Sequence, residues 1–280
     1  MASKRAAIVF DSAGTLLFMH RIAKDINKKT ILSEFTTTAV AGKKSQCVIT
    51  IIHFEPVEEL KKCPPATPIH NFLTQHNVDV DIACASLPLS KDTVIEAIRK
   101  DTRATVRDLQ EVLDEVLSRC DDHYYIGIGM MVDTETMTIP YVLSSCGKLF
   151  PSAKSVVKTL GKMGVNVFIA SGDRQLDIEK LADCIGIPRK RAFGLSTPTR
   201  KKEIIEHLKE DYNPVIMVGD GLNDILAFQT ADIAVLTREQ ESDRPKRLID
   251  AADFTIDRLE EIIPILKDIF KYKEVEGSDK

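Results

Sequence analysis

Apolar and polar positions follow two different textures along this chain, and the change between them falls near residues 20 and 140. Three short apolar runs have the length and branched-side-chain content of buried strands: Ala6 to Phe10, Val165 to Ala170, and Val215 to Val218. Around the second and third, apolar residues recur at helical period. Ser152–Met163 reads as a helix stopped at Gly164, and a second helix runs through Ile178, Leu181 and Ile185 to Gly186. Further helices are predicted over Lys201–Lys209 and Asn223–Gln229. Strands alternating with helices predict a parallel sheet covered on both faces, so this part reads as a doubly wound α/β core.

The middle of the chain is patterned otherwise. Val48 to Phe54 is strand-like, and Pro56 leads into a short helical candidate from Val57 to Lys62, ended by Cys63-Pro64-Pro65. Val106, Leu109, Val112, Leu113, Val116 and Leu117 form one stripe on a helix predicted over Arg103–Arg119. Tyr124–Val132 and Thr136–Leu143 read as a hairpin turning at Asp133-Thr134-Glu135. The expected organisation is a core of residues 1–19 and 141–273, an inserted α+β unit over 20–140, and a frayed tail over 274–280. There is no internal repeat.

Composition narrows the function classes. With 280 residues the chain can bury a substantial core without staples. A net charge of −4 argues against nucleic acid or an anionic membrane surface as partner. Six scattered cysteines lack a Cys-x-x-Cys pair, which argues against a zinc ribbon. No apolar stretch approaches the ~18 residues of a membrane helix, and Met-Ala-Ser-Lys-Arg lacks a signal core. The expectation is a soluble, cytoplasmic protein.

Chemistry gathers just after the three core strands. Asp11-Ser12-Ala13-Gly14-Thr15-Leu16 follows the first, Ser171-Gly172-Asp173 the second, and Gly219-Asp220-Gly221-Leu222-Asn223-Asp224 the third, while Lys201 opens a helix. Strand ends are where an open parallel sheet gathers its ligands. Carboxylates, a hydroxyl and a lysine in that setting suit a magnesium-assisted attack on a phosphoryl group.

These segments resemble the haloacid dehalogenase superfamily of aspartate-nucleophile phosphotransferases, and most of all the phosphorylation domain of P-type ATPases. Gly219 to Asp224 is similar to the pumps' hinge motif, and Ser171-Gly172-Asp173 to their Thr-Gly-Asp. Pro198-Thr199-Arg200-Lys201 resembles the segment carrying their lysine. Ala231 to Val235 and Ala251 to Phe254 resemble the strands that close their domain. The likeness covers residues 1–19 and about 140–270; in that family the insertion after the first turn is a cap or a nucleotide-binding domain.

The resemblance implies a role for each residue. Asp11 would be the nucleophile and form an aspartyl phosphate. Asp11, Asp220 and the Ala13 carbonyl would hold Mg2+, with Asp224 behind a metal-bound water and Asn223 orienting the loop. Turn amides of Ala13, Gly14 and Thr15, together with Gly172, would cradle phosphate. Ser171 would donate to a phosphate oxygen and Lys201 would neutralise developing charge. The offset to Ile204, Ile205 and Leu208 favours Lys201 over Lys202. Asp173 fits the pump motif and equally a helix N-cap. Taken singly, each carboxylate has an ordinary reading as a turn or cap; their order along the chain favours chemistry.

Ala13 departs from the family's phosphatases, which place a second Asp there as acid and base. Three readings follow: a magnesium-dependent phosphohydrolase for small phosphorylated metabolites, a phosphonatase-like C–P hydrolase, or a phosphate- or nucleotide-sensing protein with little turnover. The histidines and lysines of the insertion give no assignable replacement base. Lys24, Lys28 and Lys29 read as solvated surface, and Gly127-Ile128-Gly129 as part of a strand.

Overall fold

The computed structural model describes residues 5–33, 46–54, 57–85, 89–120 and 125–278. Its strands are β1 (Ala7–Phe10), β2 (Leu17–Asp25), β3 (Thr30–Ser33), β4 (Cys47–His53), β5 (Asp79–Ala85) and β6 (Tyr125–Asp133). They continue with β7 (Thr138–Leu149), β8 (Asn166–Ala170), β9 (Ala192–Phe193), β10 (Val215–Gly219), β11 (Ile233–Thr237) and β12 (Phe254–Ile256). The α-helices are α1 (Ile69–Gln75), α2 (Lys91–Lys100), α3 (Val106–Leu117), α4 (Ala153–Lys162) and α5 (Gln175–Ile185). After them come α6 (Pro198–Asp211), α7 (Ile225–Thr230), α8 (Lys246–Ile249) and α9 (Ile262–Ser278). Among the described residues, no helix is long and apolar enough to cross a membrane.

The chain divides into two units, Met1–Met19 with Leu149–Lys280, and His20–Lys148. The second boundary falls at 148 rather than 140 because β7 is one continuous strand to Leu149. At the other end, α9 carries helix through Ser278, into the segment expected to be a tail.

The first unit is built on a parallel sheet of order β12-β11-β10-β1-β8-β9. Every residue of β1 and β10 is buried, which only a strand covered on both faces can show. One face packs Ala7, Val9, Val215 and Met217 against Ile204, Ile205 and Leu208 of α6 and Phe228 of α7. α4 lies against β8, and α9 against α4. The order of strands makes β1 central, flanked by β8 and β10, so the three chain segments leaving their C-terminal ends emerge side by side. Gly186 closes α5 at φ +82°, the left-handed cap read from the sequence.

The second unit is an antiparallel sheet of order β3-β2-β7-β6-β4-β5, with the β6–β7 hairpin as expected from Tyr125 onward. Its helices cover one face; Leu109, Val112, Leu113 and Val116 of α3 are fully buried there. Cys120 and Cys146 are paired as a disulfide in this unit. Lys24 is not solvated surface: it is buried in β2, with Nζ 2.7 Å from Asp108 and 2.5 Å from Glu111. Burial opposes its charge, yet those carboxylates hold its pKa above the ordinary lysine value.

Asp101, after α2, ties this unit together. Its Oδ1 accepts from the N–H groups of Arg103 at 2.8 Å and Ala104 at 2.9 Å, and its Oδ2 from Ile139 N–H at 2.8 Å and the Arg103 guanidinium at 2.6 Å. Burial pushes this carboxyl up, but the hydrogen bonds outweigh it and hold the pKa below its ordinary value. A depressed folded pKa adds stability that is complete above the unfolded value and is lost as the pH falls through the folded one. Asp101→Asn, which loses acceptor capacity facing these donors, is expected to cost about 2–4 kcal/mol. Thermal unfolding as a function of pH checks this, with the gap between variant and wild type closing in acid.

Candidate active site

β1 ends at Phe10, and Asp11 N–H still donates to Val218 O of β10 at 2.9 Å, so the carboxylate is set by the sheet itself. The chain then turns on Ser12, whose carbonyl accepts from the N–H groups of Thr15, Leu16 and Leu17 at 3.2, 2.8 and 2.9 Å. Gly14 is at φ +77°, and its N–H donates to Leu17 O at 2.7 Å. The amides of Gly14 and Thr15 are thus spent inside the turn, where a phosphate cradle was expected of them. Thr15 is fully buried and its Oγ1 has no partner among the described residues. Gly14 serves another need, since a Cβ there would collide with Asp220 Oδ2.

Asp220 follows β10 and sits against this turn. Asp11, Asp220 and Asp224 each bring a carboxylate oxygen within 4.8 Å of the others. Asp224, fully buried, accepts from the N–H groups of Asp220 at 3.2 Å and Gly221 at 3.1 Å through Oδ2. A Cβ at Gly219 would strike that same carboxylate. Asn223 is exposed beside it. The helix expected over Asn223–Gln229 begins as a 3-10 turn, Leu222–Asp224, which lets Asp224 point back at the loop.

Lys201 reaches this cluster from α6, whose start is fixed by Thr197 accepting from Arg200 N–H and by Pro198 in the first turn. Its Nζ lies 2.6 Å from Asp11 Oδ1 and 2.7 Å from Asp224 Oδ1, and the residue is 1% exposed. Lys202 points away to Glu206 at 3.5 Å.

Ser171, at the end of β8, donates to Asp173 Oδ2 at 2.8 Å and lies 2.6 Å from Ser12 Oγ, which itself donates to Asp173 Oδ2 at 2.7 Å. Asp173 therefore binds the hydroxyls of two strand ends and does not cap α5, whose N-cap is Arg174. Gly172 is exposed, with no atom close to where a Cβ would stand.

Two residues escaped the sequence reading. Ser12 joins the first and second segments, and its only signal was its place next to Asp11. Arg244 donates to Asp220 Oδ2 at 3.0 Å from a polar stretch with no periodicity to mark it.

Burial drives the Asp11 carboxyl up to about 8, against Lys201 and with the help of Asp224 and Asp220. Burial opposes the Lys201 charge, but Asp11 and Asp224 keep its pKa well above the ordinary value. The cluster is short of positive charge, and its donors are all oxygens. That is the donor set a hard divalent cation such as Mg2+ takes.

Of the insertion's candidate bases, His53 pairs with Asp81 at 3.0 Å, and His76 packs on Phe72 and lies 3.8 Å from Cys63 Sγ. Lys43, Lys44, the start of the predicted hairpin at Tyr124 and the segment Asp121-Asp122-His123 lie outside the described residues.

Residues 6–232 match the model of the haloacid dehalogenase-like hydrolases. The chain is 33% identical over 273 residues to a soluble P-type ATPase-like phosphatase of Methanocaldococcus jannaschii, covering 98% of this chain and 97% of that one. It is 26% identical to PacS, a probable copper-transporting ATPase of Synechocystis, over 84% of this chain and 31% of that protein. Among solved structures, a phospho-aspartyl intermediate analogue of phosphoserine phosphatase covers 96% of this chain and 99% of its own, at 16% identity and a TM-score of 0.41. The chain belongs to the haloacid dehalogenase-like hydrolase family.

Proposed function

We propose that this protein is a magnesium-dependent phosphohydrolase that passes the phosphoryl group of a small substrate through Asp11 to water. The observation carrying this reading is Asp11 at the end of the central strand, buried, with Lys201 Nζ at 2.6 Å and two further carboxylates beside it. The M. jannaschii relative is described as a soluble phosphatase, which supports a phosphatase of the same kind and a cytoplasmic setting.

An Asp11 oxygen attacks phosphorus, the O–P bond to Asp11 forms, and the bond to the leaving oxygen breaks. Lys201 neutralises charge on Asp11 and on the phosphoryl oxygens as they approach. Water then attacks phosphorus and releases orthophosphate and the Asp11 carboxylate. Asp11, Asp220 and the Ala13 carbonyl would hold Mg2+, with Asp224 beside them, and the ion would supply further neutralisation of phosphoryl charge. Ser12, Ser171 and Asp173 fix the turn relative to β8, and the Ser171 hydroxyl can exchange Asp173 for a phosphate oxygen.

Ala13 offers no proton to the leaving oxygen and no base to the water. Loss of a general acid costs about 10²–10⁴-fold, so substrates whose leaving group needs no proton are favoured. Phosphate release from acetyl phosphate and p-nitrophenyl phosphate is expected to exceed release from alkyl phosphates, and to stop in EDTA. Fast hydrolysis of an alkyl phosphate, or activity indifferent to EDTA, would contradict this reading.

A further inference from the structure

The loop from Arg238 to Pro245, between β11 and α8, is fastened at one residue after another. Arg238 N–H donates to Ile256 O at 2.8 Å, and its guanidinium pairs with Asp257 at 2.7 Å. Glu239 accepts from Leu259 N–H at 2.6 Å. The Gln240 side chain accepts from Met19 N–H at 2.7 Å and donates to Met19 O at 3.2 Å. A loop held this way presents its next side chains in fixed places.

Arg244 is the side chain it turns inward, and only 9% of it is exposed. One terminal nitrogen donates to Asp220 Oδ2 at 3.0 Å, and the other lies 3.5 Å from Glu241. Nε is buried and has no partner among the described residues. Asp220 Oδ2 is also the oxygen against which Gly14 is packed, so the guanidinium ends at the turn that follows the nucleophile. A buried, unspent N–H beside a bonded one is half of the fork with which arginine takes two phosphate oxygens.

Charge points the same way. Asp11, Asp220 and Asp224 bring three negative charges and Lys201 one positive, which a divalent ion would balance to zero. Arg244, which is itself paired with Asp220 and Glu241, adds a second protein cation facing this cluster and so lowers the repulsion a phosphoryl dianion would meet there. Arginine does not release its proton, so it cannot act as the acid missing at Ala13.

We propose that Arg244 is a substrate-binding residue, held by Asp220 in the resting protein, whose guanidinium takes oxygens of the incoming phosphoryl group. This inference rests on the phosphohydrolase reading above. The test is calorimetric titration of the full chain with orthophosphate in saturating Mg2+, for wild type, Arg244→Lys and Arg244→Met, with a parallel Mg2+ titration. Arg244→Met should bind orthophosphate about 10- to 100-fold more weakly, the range of a charge-assisted hydrogen bond. Arg244→Lys should fall between, because it keeps the charge and loses the fork. Mg2+ affinity should hold or rise in Arg244→Met, since the competing cation is gone, and KM should rise more than kcat falls. Should Arg244→Met not fold, the lysine variant carries the same comparison. Unchanged orthophosphate binding in the folded variants would overturn the inference alone. So would loss of Mg2+ binding in place of phosphate binding, which would make Arg244 a structural support of the carboxylates. Failure of the wild-type protein to bind either Mg2+ or orthophosphate would overturn the inference together with the phosphohydrolase reading.

Discussion

Asp11→Asn is expected to abolish phosphate release, by at least about 10⁴-fold, the scale on which enzymes lose rate when their nucleophile is removed. Asparagine keeps the shape of the side chain and lacks the anionic oxygen that attacks phosphorus. The variant should remain folded. Asp11 is buried against two further carboxylates, and burial drives its own carboxyl up to about 8, so removing its charge relieves repulsion inside the cluster. Thermal unfolding without divalent metal should therefore show a midpoint no lower than wild type. An inactive, well-folded Asp11→Asn protein separates lost chemistry from lost structure. Retained turnover would place the nucleophile elsewhere.

Lys201→Met is expected to have the second largest effect, and on both rate and stability. The lysine is 1% exposed and bonded to Asp11 at 2.6 Å and Asp224 at 2.7 Å. Methionine replaces most of the stem volume but leaves two buried carboxylates without their cation, which costs about 3–5 kcal/mol when one partner of a buried pair is lost. Loss of a donor aimed at developing charge adds about 10²–10³-fold in kcat. Because Mg2+ supplies positive charge to the same carboxylates, added Mg2+ should raise the unfolding midpoint of Lys201→Met more than that of wild type. Steady-state kinetics with p-nitrophenyl phosphate and melting curves with and without Mg2+ measure both. Lys202→Met, at an exposed side chain paired with Glu206, should behave as wild type.

The parallel core was legible in the sequence because its strands are apolar on both faces and its helices carry regular stripes. Runs such as Val215 to Val218 have no other easy reading. β2 was not legible, since His20, Arg21, Lys24 and Asp25 interrupt any alternation. Lys24 and Asp25 are nonetheless buried, and Lys24 is so because Asp108 and Glu111 arrive from α3 to pair with it. No local pattern announces a partner so far away in the chain. β9, with two residues, is too short to leave a pattern at all.

The site shows the same division. Asp11, Lys201, Asp220 and Asp224 stand at element ends that periodicity locates, and the sheet order brings them together. The roles of the turn were read less well, because a sequence shows that Gly14 permits a left-handed backbone without showing what crowds it. The Gly14 and Thr15 amides close the turn, and Asp220 is what Gly14 makes room for. Ser12 and Arg244 contribute through contacts with Asp173 and Asp220 that only the folded chain creates.

The most direct measurement mixes the protein with Mg2+ and acetyl phosphate, quenches in acid, and reads the intact mass and the modified peptide. A single added phosphoryl group, removed by hydroxylamine, located on Asp11 and missing in Asp11→Asn, is the predicted result. The absence of a base at Ala13 should let this phosphoenzyme accumulate at steady state. A phosphoryl group on any other residue, or turnover that persists in Asp11→Asn without a phosphoenzyme, would contradict the assignment of Asp11 as nucleophile.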